Sequence, residues 1–304
     1  MTPDAAGLRS RLLVAVAAVL FSTGGAVIKA TTLDGWQVAC LRSGVAFVAV
    51  LMMLPEARRR PEPSSILVGL SYAATLVLFV LATKTTTAAN AIFLQATAPV
   101  YVLLLSPWLL REPARRRDLL FLVLLGSGLA LFFVGHETPQ ATAPEPFAGN
   151  VLGALCGLTW ALTLVGLRFM GRREAEGGAG AVTAVVVGNL IACLACLPRA
   201  LPISGAGPRD VLAIAYLGIV QIGVAYVCLT RGLRHVAALP ATLILFIEPV
   251  LNPIWTFLAH GERIAPLALC GGAIILAATF LKNALDLRRG ETYDTRLFSP
   301  PGRD

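Results

Sequence analysis

Two stretches decide how this chain folds. The first reads Ala89-Asn90-Ala91-Ile92-Phe93-Leu94-Gln95-Ala96-Thr97-Ala98-Pro99-Val100 and runs on to Arg111-Glu112. The second reads Leu239-Pro240-Ala241-Thr242-Leu243-Ile244-Leu245-Phe246-Ile247-Glu248-Pro249-Val250 and runs on to Gly261-Glu262. Pro99 and Pro249 stand 150 residues apart, and each precedes a glutamate by 13 positions. Both stretches are apolar enough for membrane helices, and each carries a proline deep within it. Interrupted hydrophobic segments at matching places predict a chain of two halves, with a solute site where the halves meet.

The surrounding composition agrees. A soluble domain carries about a quarter charged residues. This chain of 304 residues carries 14% and is 57% hydrophobic, with a mean hydropathy of +0.76. So apolar a chain cannot cover itself with a water-compatible surface, and lipid must be its solvent. Its isoelectric point near 9.6 does not signal nucleic acid: the arginines cluster at the ends of apolar runs, and no basic face free of such runs is left. The six cysteines (Cys40, Cys156, Cys193, Cys196, Cys228 and Cys270) all fall within apolar segments. Cys193 and Cys196 form a C-x-x-C with no histidine or second cysteine pair in the same segment, so they read as small packing residues. Arg9 and Arg11 followed by Leu12 to Ile28 imitate a signal peptide. The apolar run is long for one, and Ile28-Lys29-Ala30 is a poor cleavage site, so it reads as the first helix.

Runs of about 20 residues, enough to cross a ~30 Å hydrocarbon core, fall near 12–31, 35–54, 65–84, 87–110, 117–135, 149–169, 180–198, 209–230, 237–259 and 265–285. The fold class is therefore an all-α integral membrane protein with ten transmembrane helices. With the N-terminus in the cytoplasm, that side holds 19 lysines and arginines, including Arg58, Arg59, Arg60, Arg115, Arg116, Arg117, Arg172 and Arg173. The outer side holds 5: Lys29, Lys84, Arg199, Arg209 and Arg263. That split places both termini inside. Five spans per half make the second half enter from the opposite side, so the helices form two inverted five-helix repeats. The first repeat covers 1–142 (helices 1–5), the second 143–288 (helices 6–10), and 289–304 is a polar cytoplasmic tail.

The chain resembles the drug/metabolite transporter superfamily, in its ten-helix form with two EamA repeats. The resemblance rests on Lys29, on Cys40-Leu41-Arg42, on the Pro99…Glu112 and Glu248-Pro249…Gly261-Glu262 blocks, and on Gly126-Ser127-Gly128 and Gly271-Gly272. Where members of the superfamily commonly have Glu-Pro, the first block has Ala98 before Pro99, which leaves any carboxylate role to Glu248. The resemblance implies a secondary exporter in a bacterial inner membrane, similar to the aromatic-amino-acid exporters. Its cargo would be amino acids or related metabolites, with nucleobases or drug-like solutes as the alternative.

Glu248 falls midway along the ninth span, where a charge must face protein or water. It either binds a substrate ammonium or a proton, or pins a helix beside Pro249. Arg42, in the second span, attracts a substrate carboxylate, pairs with Glu248 or snorkels outward; its frequency in the superfamily favours a structural charge. Pro99 and Pro249 are repeat partners and read as gating positions, each removing a backbone donor. The candidate substrate-binding residues at mid-depth are Ser22, Tyr72, Thr75, Phe79, Gln95, Trp160, Thr163, Gln221, Tyr226, Glu248 and Asn252. They combine aromatic walls with a few orienting polar groups. Serine and threonine at such places also serve as packing glue.

Other classes of function fit poorly. His136, His235 and His260 fall at membrane edges and no Asp lies at mid-depth, so neither a catalytic constellation nor a metal site is formed. A scaffold or receptor would not need duplicated interrupted helices and two buried charges. No Walker sequence is present, no cofactor or ATP-binding subunit is implied, and the partners are a small-molecule substrate and the bilayer, with a monomer sufficient. The orientation is testable by cysteine labelling. A cysteine at Thr138 should react from outside and one at Arg116 only after the membrane is permeabilised. Labelling of both from one side would overturn the inverted arrangement.

Overall fold

A computed structural model of the chain describes residues 3–109, 116–134, 138–171, 179–203, 205–233, 236 and 238–288. Glu112, His136, His235 and the 289–304 tail lie outside the described residues. Fourteen α-helices run in order: α1 Pro3–Ser22, α2 Gly24–Ala30, α3 Gly35–Met53, α4 Pro63–Thr85, α5 Ala88–Gln95, α6 Ala98–Leu109 and α7 Arg116–Val134. They continue with α8 Pro146–Gly171, α9 Ala179–Ala200, α10 Pro208–Ala215, α11 Ala225–Leu233, α12 Ala238–Leu245, α13 Ile247–His260 and α14 Pro266–Arg288. A π-wound segment, Tyr216–Val224, joins α10 to α11 into one long rod.

The punctuation is written in the sequence. Proline opens α4, α8, α10 and α14, the position where its missing N–H costs nothing and its fixed φ suits a helix. Asp34 caps α3 through a box with Gln37: its Oδ1 accepts from the Gln37 N–H at 2.9 Å, and Gln37 Oε1 accepts from the Asp34 N–H at 3.2 Å. Thr87 Oγ1 caps α5 by accepting from the Asn90 N–H at 3.0 Å.

Eight stretches are long and apolar enough to cross a bilayer, with two shorter apolar helices, Leu119–Val134 and Pro266–Lys282, beside them. The protein is thus an all-α, multi-pass membrane protein. Its outward faces carry large apolar side chains such as Met52, Leu67, Leu212 and Leu258, which only lipid can solvate favourably.

Three helices expected to be continuous are broken. The first span divides at Thr23, the fourth at Ala96-Thr97 and the ninth at Phe246. Pro99 and Pro249 therefore do not kink the middle of a helix. Each sits in the first turn of a new one, where a proline is well tolerated but cannot continue the helix before it. The breaks fall at matching places, for α5 ends at Gln95 and α12 at Leu245, 150 positions later.

Packing knits the two parts of the chain together. α4 lies against α8 and α9, α3 against α9 and the π-wound segment, α7 against α14, and α1 against α11 and α13. Where α7 meets α14, Gly128 and Gly271 pack closely, whereas Gly126 faces open space. A Cβ on Gly128 would stand 2.9 Å from the Gly271 carbonyl oxygen, and one on Gly271 would stand 2.6 Å from that of Gly128.

One end of the bundle is closed by polar ties between helix ends. Lys29 Nζ, at the end of α2, forms an ion pair with Glu262 Oε1 at 2.9 Å, both side chains being buried. The same ammonium donates to the carbonyl oxygens of Thr86, at 2.9 Å, and Thr142. Glu262 Oε2 accepts from the Ala88 N–H at 2.8 Å, so the carboxylate also caps α5. Gly261, at φ +64°, ends α13 in the left-handed region that glycine adopts freely, and so turns Glu262 back toward Lys29. Lys84 donates to Thr31, and Asp210 accepts from the Thr32 N–H and hydroxyl. Removing one partner of a buried pair strands the other charge, at a cost of about 3–5 kcal/mol. Glu262→Gln or Lys29→Met should therefore lower the unfolding midpoint of the detergent-solubilised protein, and the double variant should recover part of the loss. Single variants with a wild-type midpoint would show that water screens the pair.

Candidate functional site

Apart from Phe79 and Gln95, the candidate residues come from five helical rods and gather near the break in the first span. α1 stops at Ser22 and α2 starts at Gly24, which removes side-chain bulk just where two polar side chains approach. A Cβ on Gly24 would lie 2.9 Å from Gln221 Nε2, and one on Gly25 would lie 2.4 Å from Asn252 Oδ1. Gln221 donates to the Phe21 carbonyl oxygen at 3.3 Å, and it projects from the π-wound segment, a winding often found at functional sites. Ser22 is fully buried; its Oγ donates to the Val19 carbonyl oxygen at 2.6 Å and accepts from Trp255 Nε1 at 2.9 Å.

Toward the other end the site becomes aromatic. The Tyr226 hydroxyl donates to that of Tyr72 at 2.8 Å. The Tyr226 ring meets Phe21 edge-on at 5.4 Å and Tyr72 at 6.2 Å, while Tyr72 stands 6.5 Å from Trp160. Thr75 Oγ1 bridges to Thr159 Oγ1 at 3.0 Å, and Thr163 Oγ1 bonds back to the Thr159 carbonyl oxygen at 2.9 Å. Glu248 occupies the first turn of α13, partly buried, where a carboxylate complements the positive end of the helix dipole. Arg42, Tyr72, Tyr226 and Glu248 stand within electrostatic reach of one another.

Several polar atoms here have no hydrogen-bond partner although buried: Arg42 Nε and Nη1, Ser43 Oγ, Gln221 Oε1, Asn189 Oδ1 and both amide atoms of Asn252. Each such orphan costs roughly 1–3 kcal/mol. Most of these atoms belong to residues beside the break in the first span or within electrostatic reach of the tyrosine pair.

Not every candidate belongs. Phe79 packs in a separate apolar cluster with Val38, Ile92 and Phe93, away from the tyrosine pair. Gln95 is partly buried at the last turn of α5. Pro99 and Pro249 start helices beside the site and contribute backbone breaks instead of contacts. The groove of about 460 Å³ between α12, α13 and α14, lined by Leu243, Phe246, Val250, Leu276 and Phe280 among others, is apolar and holds none of the candidates. Sequence reasoning missed the Lys29–Glu262 tie and a buried knot in which Thr86 and Asn90 both donate to Asn150 Oδ1, at 2.8 and 3.0 Å. Asn90 lies inside the duplicated stretch, and Glu262 ends its second copy, so the signal was present in residues that no rule singled out.

A multi-pass helical membrane protein with orphaned polar groups and aromatic walls between its two parts is built as a carrier of small solutes. The chain belongs to the EamA-like transporter family, whose pattern matches residues 8–134 and 147–284. It is 28% identical over 268 residues to an uncharacterized transporter of Archaeoglobus fulgidus, covering 88% of this chain and 94% of the relative. A second uncharacterized transporter of that organism is 28% identical over 211 residues, covering 67% and 70%. A solved crystal structure shares the fold with a TM-score of 0.59 at 20% identity, over 92% of this chain and 98% of that one. The family is one of transporters of small molecules across a membrane.

Trp160 and Gln221 test the site without touching its charges. Losing a ring contact costs about 0.5–1.5 kcal/mol, up to about a tenfold change in affinity. Trp160→Ala and Gln221→Ala should shift transport rates or solute preference by that order while expression and unfolding midpoint hold. Wild-type rates and preference in both would place the solute against other helix faces.

Proposed function

We propose that this protein is a secondary exporter of amino acids and related small metabolites in a bacterial inner membrane, working by alternating access. The observation that carries the reading is the set of orphaned polar atoms and aromatic rings at the level of the helix breaks. The duplicated architecture supports it. With repeats at 1–142 and 143–288 and ten crossings, the α4–α8 contact corresponds to that of α11 with α1, and α4–α9 to that of the π-wound segment with α3. The α3–α9 and α7–α14 contacts correspond to themselves. A contact map that maps onto itself under exchange of halves is what a pseudo-two-fold axis in the membrane plane produces.

In this mechanism an amphipathic solute enters between the halves, its apolar body against Phe21, Trp160 and the tyrosine pair, its ammonium beside Glu248. The Lys29–Glu262 end is closed in this structure, and the halves rock to close the opposite end. The breaks before Pro99 and Pro249 are the matched places where a short helix can tilt on its neighbour, which is the gating role of the two prolines. Driving force comes from solute or proton gradients. Glu248 is the group able to exchange a proton for an ammonium. Both termini lie on the cytoplasmic side.

The deciding experiment is a solute screen in proteoliposomes containing only this protein. Amino acids should exchange across the membrane and outcompete nucleobases and drug-like cations. Distance probes across the two ends should report two populations, with Pro99→Ala and Pro249→Ala shifting them in opposite directions. Absence of any solute flux would sink the reading, and identical shifts from the two variants would remove the prolines from gating.

A further inference from the structure

Arg42 sits eight residues into α3 and is only 3% exposed. Three fates were open to this guanidinium, and two are closed by the geometry. It does not snorkel to a surface, being buried within electrostatic reach of Tyr72 on α4, Cys156 on α8, Tyr226 on α11 and Glu248 on α13. It does not pair with Glu248 either: no ion pair within 4.0 Å joins these two described side chains, which act on each other only at longer range. Its Nε and Nη1 have no hydrogen-bond partner, and the Oγ of neighbouring Ser43, 1% exposed, has none. A guanidinium keeps its charge in a protein interior and offers five donors in a rigid fork. A buried charge left so far from satisfied calls for a partner from outside the chain, water or a ligand.

The surroundings limit what that partner is. The tyrosine hydroxyl pair and the rings of Phe21 and Trp160 line the same region, which suits a partner carrying an apolar body. A single guanidinium balances a single negative charge. A doubly charged phosphate would leave an excess beside Glu248, whereas a carboxylate is neutralised and matches the fork of donors. We propose that Arg42 is the anchor for a carboxylate on the transported solute, so that the cargo is an organic acid with an apolar or aromatic body. This rests on the transporter reading above and gives Arg42 a binding role in place of a structural one. A solute with both groups then spans the gap between Arg42 and Glu248, which explains why two opposite charges at one level are held apart.

The test uses the purified full chain in detergent and a matched series: alanine, leucine and phenylalanine, their amides, and a phosphonate analogue of each. Binding is read by calorimetry and by thermal stabilisation. At least one free acid should bind. Its amide should bind more weakly by about tenfold to a hundredfold, as expected when a charge-assisted bond to a buried donor is lost. Arg42→Gln should erase the difference between acid and amide, and Arg42→Lys should restore part of it. Should Arg42→Gln fail to fold, the comparison of acid with amide on the wild-type protein decides alone. The proposal is overturned if no acid binds, if amides or phosphonates bind as tightly as acids, or if Arg42→Gln keeps the discrimination. Proteoliposome flux separates this from the transporter reading: flux that ignores the carboxylate defeats the anchor only, whereas acid-selective binding without flux defeats the transporter reading only.

Discussion

The buried ion pair between Lys29 and Glu262 ties together more of this structure than any other single contact. It joins the end of α2 to the turn after α13, while its two side chains also take up the Thr86 carbonyl oxygen and the Ala88 N–H at the start of α5. Three rods and a loop thus meet at one point, and the helix ends that would otherwise expose unpaired backbone groups are satisfied there. With this end fixed, α2 and α5 are anchored by one tip each. The breaks at Thr23 and at Ala96-Thr97 then lie free below the tie, at the level of the polar cluster.

The bonding is uneven along the membrane normal. At the closed end, lysines, threonines, Asp210 and Asn150 find partners. At mid-depth, Arg42 Nε and Nη1, Gln221 Oε1 and both amide atoms of Asn252 do not. Such a gradient is costly in a medium that offers no hydrogen bonds. Under the transporter reading proposed above, the middle would be completed by the solute and the tied end would act as a door.

Much of this was legible beforehand. Nine of the ten apolar runs match described helices or helix pairs within a few residues, the first helix alone starting nine residues ahead of its run, at Pro3. Length and hydropathy are strong signals in lipid, where every backbone group must be paired within its own helix. Tyr72, Tyr226, Trp160, Gln221 and Asn252 were recognisable as polar or aromatic groups at mid-depth. The helix breaks were only half visible. Pro99 and Pro249 pointed to them, but a proline says equally that a helix bends or that one begins, and only the first-turn position resolves it. The π winding around Gln221 left no trace, since Tyr216–Val224 contains no glycine pair or proline to announce it. The role of Arg42 depended on which partners it lacks, and a missing contact is not written in any sequence.

The meeting of Gly128 with Gly271 has a mechanical side. α7 belongs to the first matched segment of the chain and α14 to the second, yet their backbones approach closely at Gly128 and Gly271, flanked by Leu131, Phe132, Ile274 and Ile275. Dispersion falls off within fractions of an ångström, so the two parts cannot be pulled apart along this seam without forfeiting its contact. If the halves rock as proposed, this seam is the axle and the glycines its bearing: a tether across α7 and α14 would cost such a motion nothing, whereas a methyl group added at either glycine would wedge the axle and tilt what the two helices carry.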